Sequence, residues 1–397
     1  MSAPPPEPDP PVYDPGAIVL ISEREAIRRR PGMYIGGTGV AGLQELLSVV
    51  LDVALNEHIA GRCEEVRVSL LPDNGYQVWF DSAKPFCLAK NAADLPRFAE
   101  AISDRTELYP LLATSLVGFG LRVAIALSRR FEIAVSDGHE MRRQRFPLGD
   151  SGGETECEPT AESAATAVTF WPDPEVFRDN PRLRPSTLAT RCQELSFLLP
   201  RLTIRLADES LKRPWKRSYR STAGLVDFVR RAATLRADPA VHANIFFAEG
   251  SREKIRWQAA LQWHAGQSTQ IRSFANLGET ISGGTHVDRL SMSLTKVLRK
   301  HGHNYGPLQQ VRWRNEDVQK GVSGVVAVML PEAQFPTARR SRLDNAEVIG
   351  VMDQIIQREF TLFLEANPSD ACAIVNRVIQ ACQEREAASA ARKKRKK

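Results

Sequence analysis

The stretch LLSVVLDVALNEHIAG, from Leu46 to Gly61, has the apolar spacing of a buried helix, yet Asp52, Asn56 and Glu57 interrupt it. A carboxylate in such a place costs free energy unless a partner or a ligand satisfies it, so these groups ask for one or the other. Further on, LVGFGLRVAIALS sets Gly118 and Gly120 in a loop that opens onto a helix. Two basic stretches suggest contacts with polyanions. KRPWKRSYR, from Lys212 to Arg220, interleaves Trp215 and Tyr219 with cations, which suits phosphates and bases and suits an exposed hairpin equally. The chain closes on ARKKRKK, with six Lys or Arg among its last seven residues, after a helical EREAASA segment.

The bulk numbers bound what these groups can belong to. At 397 residues the chain admits two domains of ordinary size. Hydrophobic residues are 43% and charged residues 25%, with no apolar run long enough to span a bilayer and no charged segment leading into a short apolar one. A cytoplasmic protein with no membrane contact is expected. Six scattered cysteines without a CxxC suggest neither a zinc site nor a disulfide framework. The net charge of +6 agrees with a polyanionic partner, and much of it sits in the tail.

The elements that must position these groups follow from periodicity. Seven prolines and three acids in the first fifteen residues make an extended arm. Helical spacing begins at Glu23, is broken by PGMYIGG, and resumes from Gly42 to Ala60. EVRVSLL and YQVWF around Asn74-Gly75 predict a hairpin. A helix-rich stretch runs to Tyr109, strands return at FEIAVSDG, MRRQRFPLG and TAVTFWP, and SGGETECEPTAESA between them reads as a flexible turn. The second half opens with a helix near Gly224, then strands at IRWQAALQWH and TQIRSFAN, the turn SGGTH, a helix through Leu298 and the strand GVVAVML. Two long helices, Asn345 to Glu365 and Ser369 to Ala391, flank Pro368. Both halves are α+β.

Several segments carry a family resemblance. REAIRRRPGMYIGGTG, DVALNEHIAGRC, LVGFGLRVAIALS, ATAVTFWPD, RCQELSFL, ANIFF, AALQWH, ISGGTHV and NPSDACAIVNRVIQACQEREAA resemble, in order and spacing, the gyrase B proteins of DNA gyrase and their topoisomerase IV counterparts. The resemblance runs from Tyr13 to about Ala391. It implies an arm over 1–22, a GHKL (Bergerat) ATPase-like α/β sandwich over 23–222, a ribosomal-S5-domain-2-like transducer over 223–391, and a basic tail over 392–397. The family protein continues into a metal-binding Toprim domain with an EGDSA segment and a DxD pair, and these are not found before the chain stops at Lys397. That leaves strand passage to other chains.

The resemblance also implies an ATP site, and here the letters depart from it. The family motif E-V-V-D-N-A-I-D-E supplies a general base and a Mg²⁺ ligand, which correspond to Val49 and Val53. One helical turn apart, they share a face, and neither can take a proton or bind a cation. Glu45, one turn upstream of Val49, is the one carboxylate that could substitute for the base, and its displacement of about 6 Å along the axis counts against it. Where the family reads D-D-G-R-G-I-P the chain reads FDSAKPF, which sets Phe80 at the adenine-binding aspartate and Asp81 on the opposite face, unless a one-residue bulge returns it. The phosphate loop G-G-L-H-G-V-G becomes TSLVGFG, with Thr114, Ser115 and Val117 as replacements and Gly118 and Gly120 retained. The transducer's Q-T-K corresponds to Ala338, Arg339 and Arg340, of which Arg340 keeps the charge that would reach the terminal phosphate.

Other positions match. Asp52 and Glu57 fall on the remaining acids of that helix, Thr166 on the adenine-contacting threonine, Arg143 on a cleft-edge arginine, and Tyr13 and Ile18 on arm positions that dock on a second copy. The family's ligands are ATP and Mg²⁺, and the altered letters count against both. Three functions stay open. One is a non-hydrolysing module that forms a homodimer and binds DNA or a gyrase or topoisomerase IV subunit. Another is an ATP-hydrolysing topoisomerase subunit completed by separate Toprim and cleavage chains. The last is a nucleotide-gated clamp without turnover.

Overall fold

The computed structural model describes residues 21–83, 120–147, 155–252, 254–302, 314–337 and 340–395. The arm with Tyr13 and Ile18, the predicted helix-rich stretch to Tyr109, the loop residues Thr114, Ser115, Val117 and Gly118, and the pair Ala338 and Arg339 lie outside them.

Helix α1 (Glu23–Arg29) is capped by Ser22, whose hydroxyl accepts from the Glu25 N–H at 3.2 Å, with acids in its first turn and arginines in its last. PGMYIGG is a single turn, α2 (Gly32–Ile35), closed by Gly36 in the left-handed region. The long helix α3 (Val40–Ile59) follows. The hairpin forms as predicted from β1 (Glu65–Leu70) and β2 (Tyr76–Phe80), with Asn74 at φ 58° in its turn. Helix α4 is described over Gly120–Ala126. Strands β3 (Ser128–Ser136), β4 (Glu140–Pro147), β5 (Thr155–Pro159) and β6 (Ala165–Pro172) come next. After them come α5 (Pro185–Leu198), β7 (Thr203–Asp208) and β8 (Trp215–Tyr219).

These eight strands form one sheet in the order β5-β4-β3-β6-β2-β1-β7-β8. All neighbours are antiparallel except β1 and β7, which run parallel because α5 and the preceding strands intervene in the chain. Strand β5 corrects the reading of SGGETECEPTAESA as a flexible turn. Its five residues pair in register with β4 on the sheet edge, where exposed polar side chains leave no alternation for a sequence to display.

The second half begins with α6 (Leu225–Thr234) and builds β9 (Phe246–Arg252), β10 (Ile255–Trp263), β11 (Gln270–Ala275), β12 (Gly278–Glu279) and β13 (Val322–Met329). Their order is β12-β11-β13-β10-β9, with β11 and β13 parallel. Helices α7 (Thr285–Gly302), α8 (Asn315–Gln319), α9 (Glu347–Ala366) and α10 (Pro368–Arg395) complete it. In the SGGTH turn Gly284 has φ 142° and bridges Leu343, whose carbonyl oxygen would lie 2.3 Å from an added Cβ, so no other residue fits. Helix α10 runs to Arg395, so the first basic residues of the predicted tail are helical.

Two apolar cores result. The first fills the space between the eight-stranded sheet and α3, α4 and α5, and it continues across the junction to Ala260, Phe274, Val325 and Ala327 of the second sheet. Phe228 on α6 joins the halves, with ring centroids 5.4 Å from Phe197 and 6.1 Å from Phe274 in edge-on geometry. The second core lies between the opposite face of the five-stranded sheet and α7, α9 and α10.

Candidate functional site

Spacing along α3 places Glu45, Val49, Asp52, Val53 and Asn56 on one stripe. Val49 is 3% and Val53 9% exposed, and both are members of the first apolar core. Neither carries an oxygen, so the stripe has no proton acceptor or metal ligand where the resemblance implies them. Among the described residues no group of three or more His, Cys, Asp or Glu could hold a metal ion.

Glu57 is fully buried, and its carboxylate is spoken for within the protein. Arg62 donates from Nε to Oε2 at 2.8 Å and from Nη2 to Oε1 at 2.5 Å, a fork-on-carboxylate geometry. Ser82 donates its hydroxyl to Oε2 at 2.7 Å. The Ser82 carbonyl in turn accepts from the Thr166 hydroxyl at 2.6 Å. The structure thus brings two sequence-predicted residues, Glu57 and Thr166, into one network through Ser82. Arg62 and Ser82 were not anticipated; the available signal was an arginine just beyond the helix end, five residues after the acid.

Strand register decides which other residues face this network. Val135 of β3 is the cross-strand partner of both Thr166 and Arg142, so those three share the inner face. Arg143, opposite Ala134, is therefore on the outer face, where its Nε lies 3.2 Å from Glu132. Its expected place at the cleft edge is corrected: MRRQRF is polar throughout, and only pairing with β3 fixes which arginine turns in.

Asp81 is also placed elsewhere than a nucleotide would require. The β1–β2 register runs regularly to Val66 opposite Phe80, without a bulge, and Phe80 lies inside, opposite Thr166. The Asp81 carboxylate accepts the backbone N–H groups of Glu64 and Glu65 at 2.9 and 3.0 Å, so it caps the start of β1. Burial, and then the hydrogen bond with Asp81, raise the neighbouring Cys63 thiol far above its ordinary range, which leaves it an inert core group.

The other end of the stripe meets the second half of the chain. Burial raises the pKa of Glu45, opposed by the charges of Arg340 and Arg191. Burial lowers that of Arg340, opposed by Glu45 and Asp52. Arg340, at φ 52° in the loop before α9, lies with its guanidinium carbon 5.9 Å from the Phe335 ring. Arg191 of α5 donates to the Leu277 carbonyl at 3.0 Å, and Arg272 of β11 bridges Glu194 of α5 at 2.7 Å and Glu279 at 2.6 Å. Helix α3, α5 and the loop before α9 thereby present opposite charges to one another. Arg191 sat in a quoted family segment with no role attached to it, and only the fold reveals one.

These residues do not fit a magnesium–nucleotide complex held in the family's manner. The base and ligand positions are apolar, Glu57 and Thr166 bond each other through Ser82, and Asp81 serves the backbone.

Comparison with known proteins agrees with the fold. The DNA gyrase B family model matches residues 224–394. The DNA gyrase B protein of Mycobacterium tuberculosis is 32% identical over 420 aligned residues, which cover 96% of this chain and 61% of the relative. That of Clostridium acetobutylicum is 31% identical, covering 96% of this chain and 60% of the relative. The chain spans about three fifths of the length of these relatives. The 43K ATPase domain of Thermus thermophilus gyrase B, solved with an aminocoumarin, superposes with a TM-score of 0.76 at 27% identity over 93% of this chain and 97% of that one. The gyrase B protein of Myxococcus xanthus, at 24% identity and a TM-score of 0.74, matches in fold over 89% of this chain and 99% of that one. Among the described residues no helix is long and apolar enough to cross a membrane. By sequence and by fold, the chain is similar to the DNA gyrase B proteins over their ATPase and transducer regions, and it has the GHKL-type ATPase fold followed by the transducer fold.

Proposed function

We propose that the chain is a non-hydrolysing gyrase-B-like module, which dimerises and binds DNA or a gyrase or topoisomerase IV subunit instead of turning over ATP. The observation that carries this reading is the burial of Val49 and Val53 in the first apolar core. A missing general base costs about two to four orders of magnitude in rate. Glu45 is a poor substitute, since it faces Arg340 and Arg191 about one helical turn from the base position.

In this reading Arg340 does a different task from a phosphate-binding lysine. Its charge stands against Glu45 and Asp52, and so draws the transducer loop onto α3. The basic run that begins at Arg392, on the last turn of α10, offers nonspecific contacts to phosphates. Dimerisation through the arm, around Tyr13 and Ile18, is part of the same proposal.

Phosphate release by the purified chain, with and without DNA, tests the loss of turnover. Stimulated turnover that disappears in Glu45→Ala favours the ATPase alternative and refutes the proposal. Light scattering and a supercoiling assay with added chain test the binding role, and a monomer without DNA affinity or effect on gyrase overturns it.

A further inference from the structure

Where the end of α3 meets the second sheet, the packing between the two halves opens into a cavity of about 590 Å³. His58 and Ile59 at the end of α3, and Pro200 after α5, form one wall. Strands β9, β10 and β13 form the other. Register places Glu249 beside Gln258 and Ala327, and Ser251 beside Arg256 and Met329, so these side chains share the cavity face while Trp257 turns into the second core.

The polar groups of this cavity are incompletely used. Gln258 donates to Glu249 at 3.1 Å, but among the described residues Glu249 has no cationic partner and Arg256 no partner at all. His58 Nδ1 lies 2.7 Å from the Cys63 carbonyl, which can only accept. The Nδ1 proton is therefore donated there, and Nε2 is the ring nitrogen left for a ligand. By contrast, in a concavity of about 800 Å³ beside α1, Arg28 is already engaged by Asp173 at 2.6 Å and Glu175 at 3.1 Å.

An open cavity of this size between domains, with mixed apolar and polar walls and exposed Glu249, Ser251 and Arg256 at its rim, can admit a small molecule. We propose that the junction cavity binds a small amphipathic organic anion, with its apolar body against Ile59, Pro200 and Met329 and its acidic group against Arg256. Glu249 on the same face disfavours a second negative charge and selects a singly charged ligand with a donor group. Because the walls come from both halves, an occupant fastens them together and stabilises the assembled chain by mass action. The inference does not depend on whether nucleotide binds.

The test uses the intact chain with 1-anilinonaphthalene-8-sulfonate as probe and uncharged N-phenyl-1-naphthylamine as its counterpart, with near-UV circular dichroism to verify the fold. One sulfonate probe per chain is expected. Arg256→Gln should weaken that probe about fivefold and shift the uncharged one by less than about twofold, as loss of an ion pair with an exposed arginine predicts. Ser251→Trp, at an exposed position lining the cavity, should block both. Absence of stoichiometric binding, sulfonate affinity unchanged in Arg256→Gln, or binding of both probes unchanged in Ser251→Trp would each overturn the proposal.

Discussion

Replacing Glu57 by alanine removes the anion at the centre of the network that joins α3 to β2 and β6. Two hydrogen bonds from Arg62 and one from Ser82 lose their acceptor. Ser82 stays buried and unsatisfied, whereas the Arg62 side chain, 27% exposed, recovers part of its hydration. Breaking a buried pair costs about 3–5 kcal/mol, and the exposure of Arg62 puts this case near 3. For a domain of roughly 150–250 residues that lowers the melting temperature by about 6–12 °C. Glu57→Gln keeps the volume and one acceptor and should cost about 1–2 kcal/mol. Thermal unfolding of the intact chain, read by circular dichroism at the first transition, measures both. A loss below about 1 kcal/mol for the alanine variant would refute the structural role, and would return Glu57 to the candidates for ligand binding.

Asp81→Ala leaves the backbone N–H groups of Glu64 and Glu65, at the start of β1, without their acceptor and should cost about 1–3 kcal/mol in urea unfolding; no change would mean that water caps the strand equally well. His286 is buried, and burial lowers its pKa to about 4 from an ordinary value near 6.5. Its folded state resists protonation, so stability is complete above about pH 6.5, falls as pH drops towards 4, and levels below, by about 3 kcal/mol in all. His286→Gln should flatten that interval of the pH–stability curve, and an unchanged slope would contradict the assignment. If DNA binds, its affinity should fall steeply with salt, and removing residues 392–397 should make the slope shallower; a salt-independent affinity would exclude the tail from the interface.

Periodicity and punctuation made much of the architecture legible. Asn74-Gly75 announced the β1–β2 hairpin, and the apolar spacing announced α3 and the two closing helices. Elements without an internal pattern were not legible. TECEP becomes a strand because β4 offers it an edge, and the basic tail begins as helix because α10 propagates into it. The site divides the same way. Val49 and Val53 were readable as letters, since a helix fixes their shared face. Arg143 was not, because a polar strand leaves its two faces to be decided by neighbours. Glu57 was read as a remnant of ligand binding, and its partners Arg62 and Ser82 emerge only once the strand end folds back on the helix.

These placements describe one substitution of roles along a single helix. Groups that would hold a metal and a nucleotide in the family's pattern are replaced by packing at Val49 and Val53, by internal hydrogen bonds at Glu57, and by charge pairing with Arg340 at the transducer end. Calorimetric titration of the intact chain with a non-hydrolysable ATP analogue and Mg²⁺ tests this substitution of roles most directly. The account predicts no stoichiometric heat of binding and no Mg²⁺ dependence; one analogue bound per chain with magnesium-dependent affinity would contradict it.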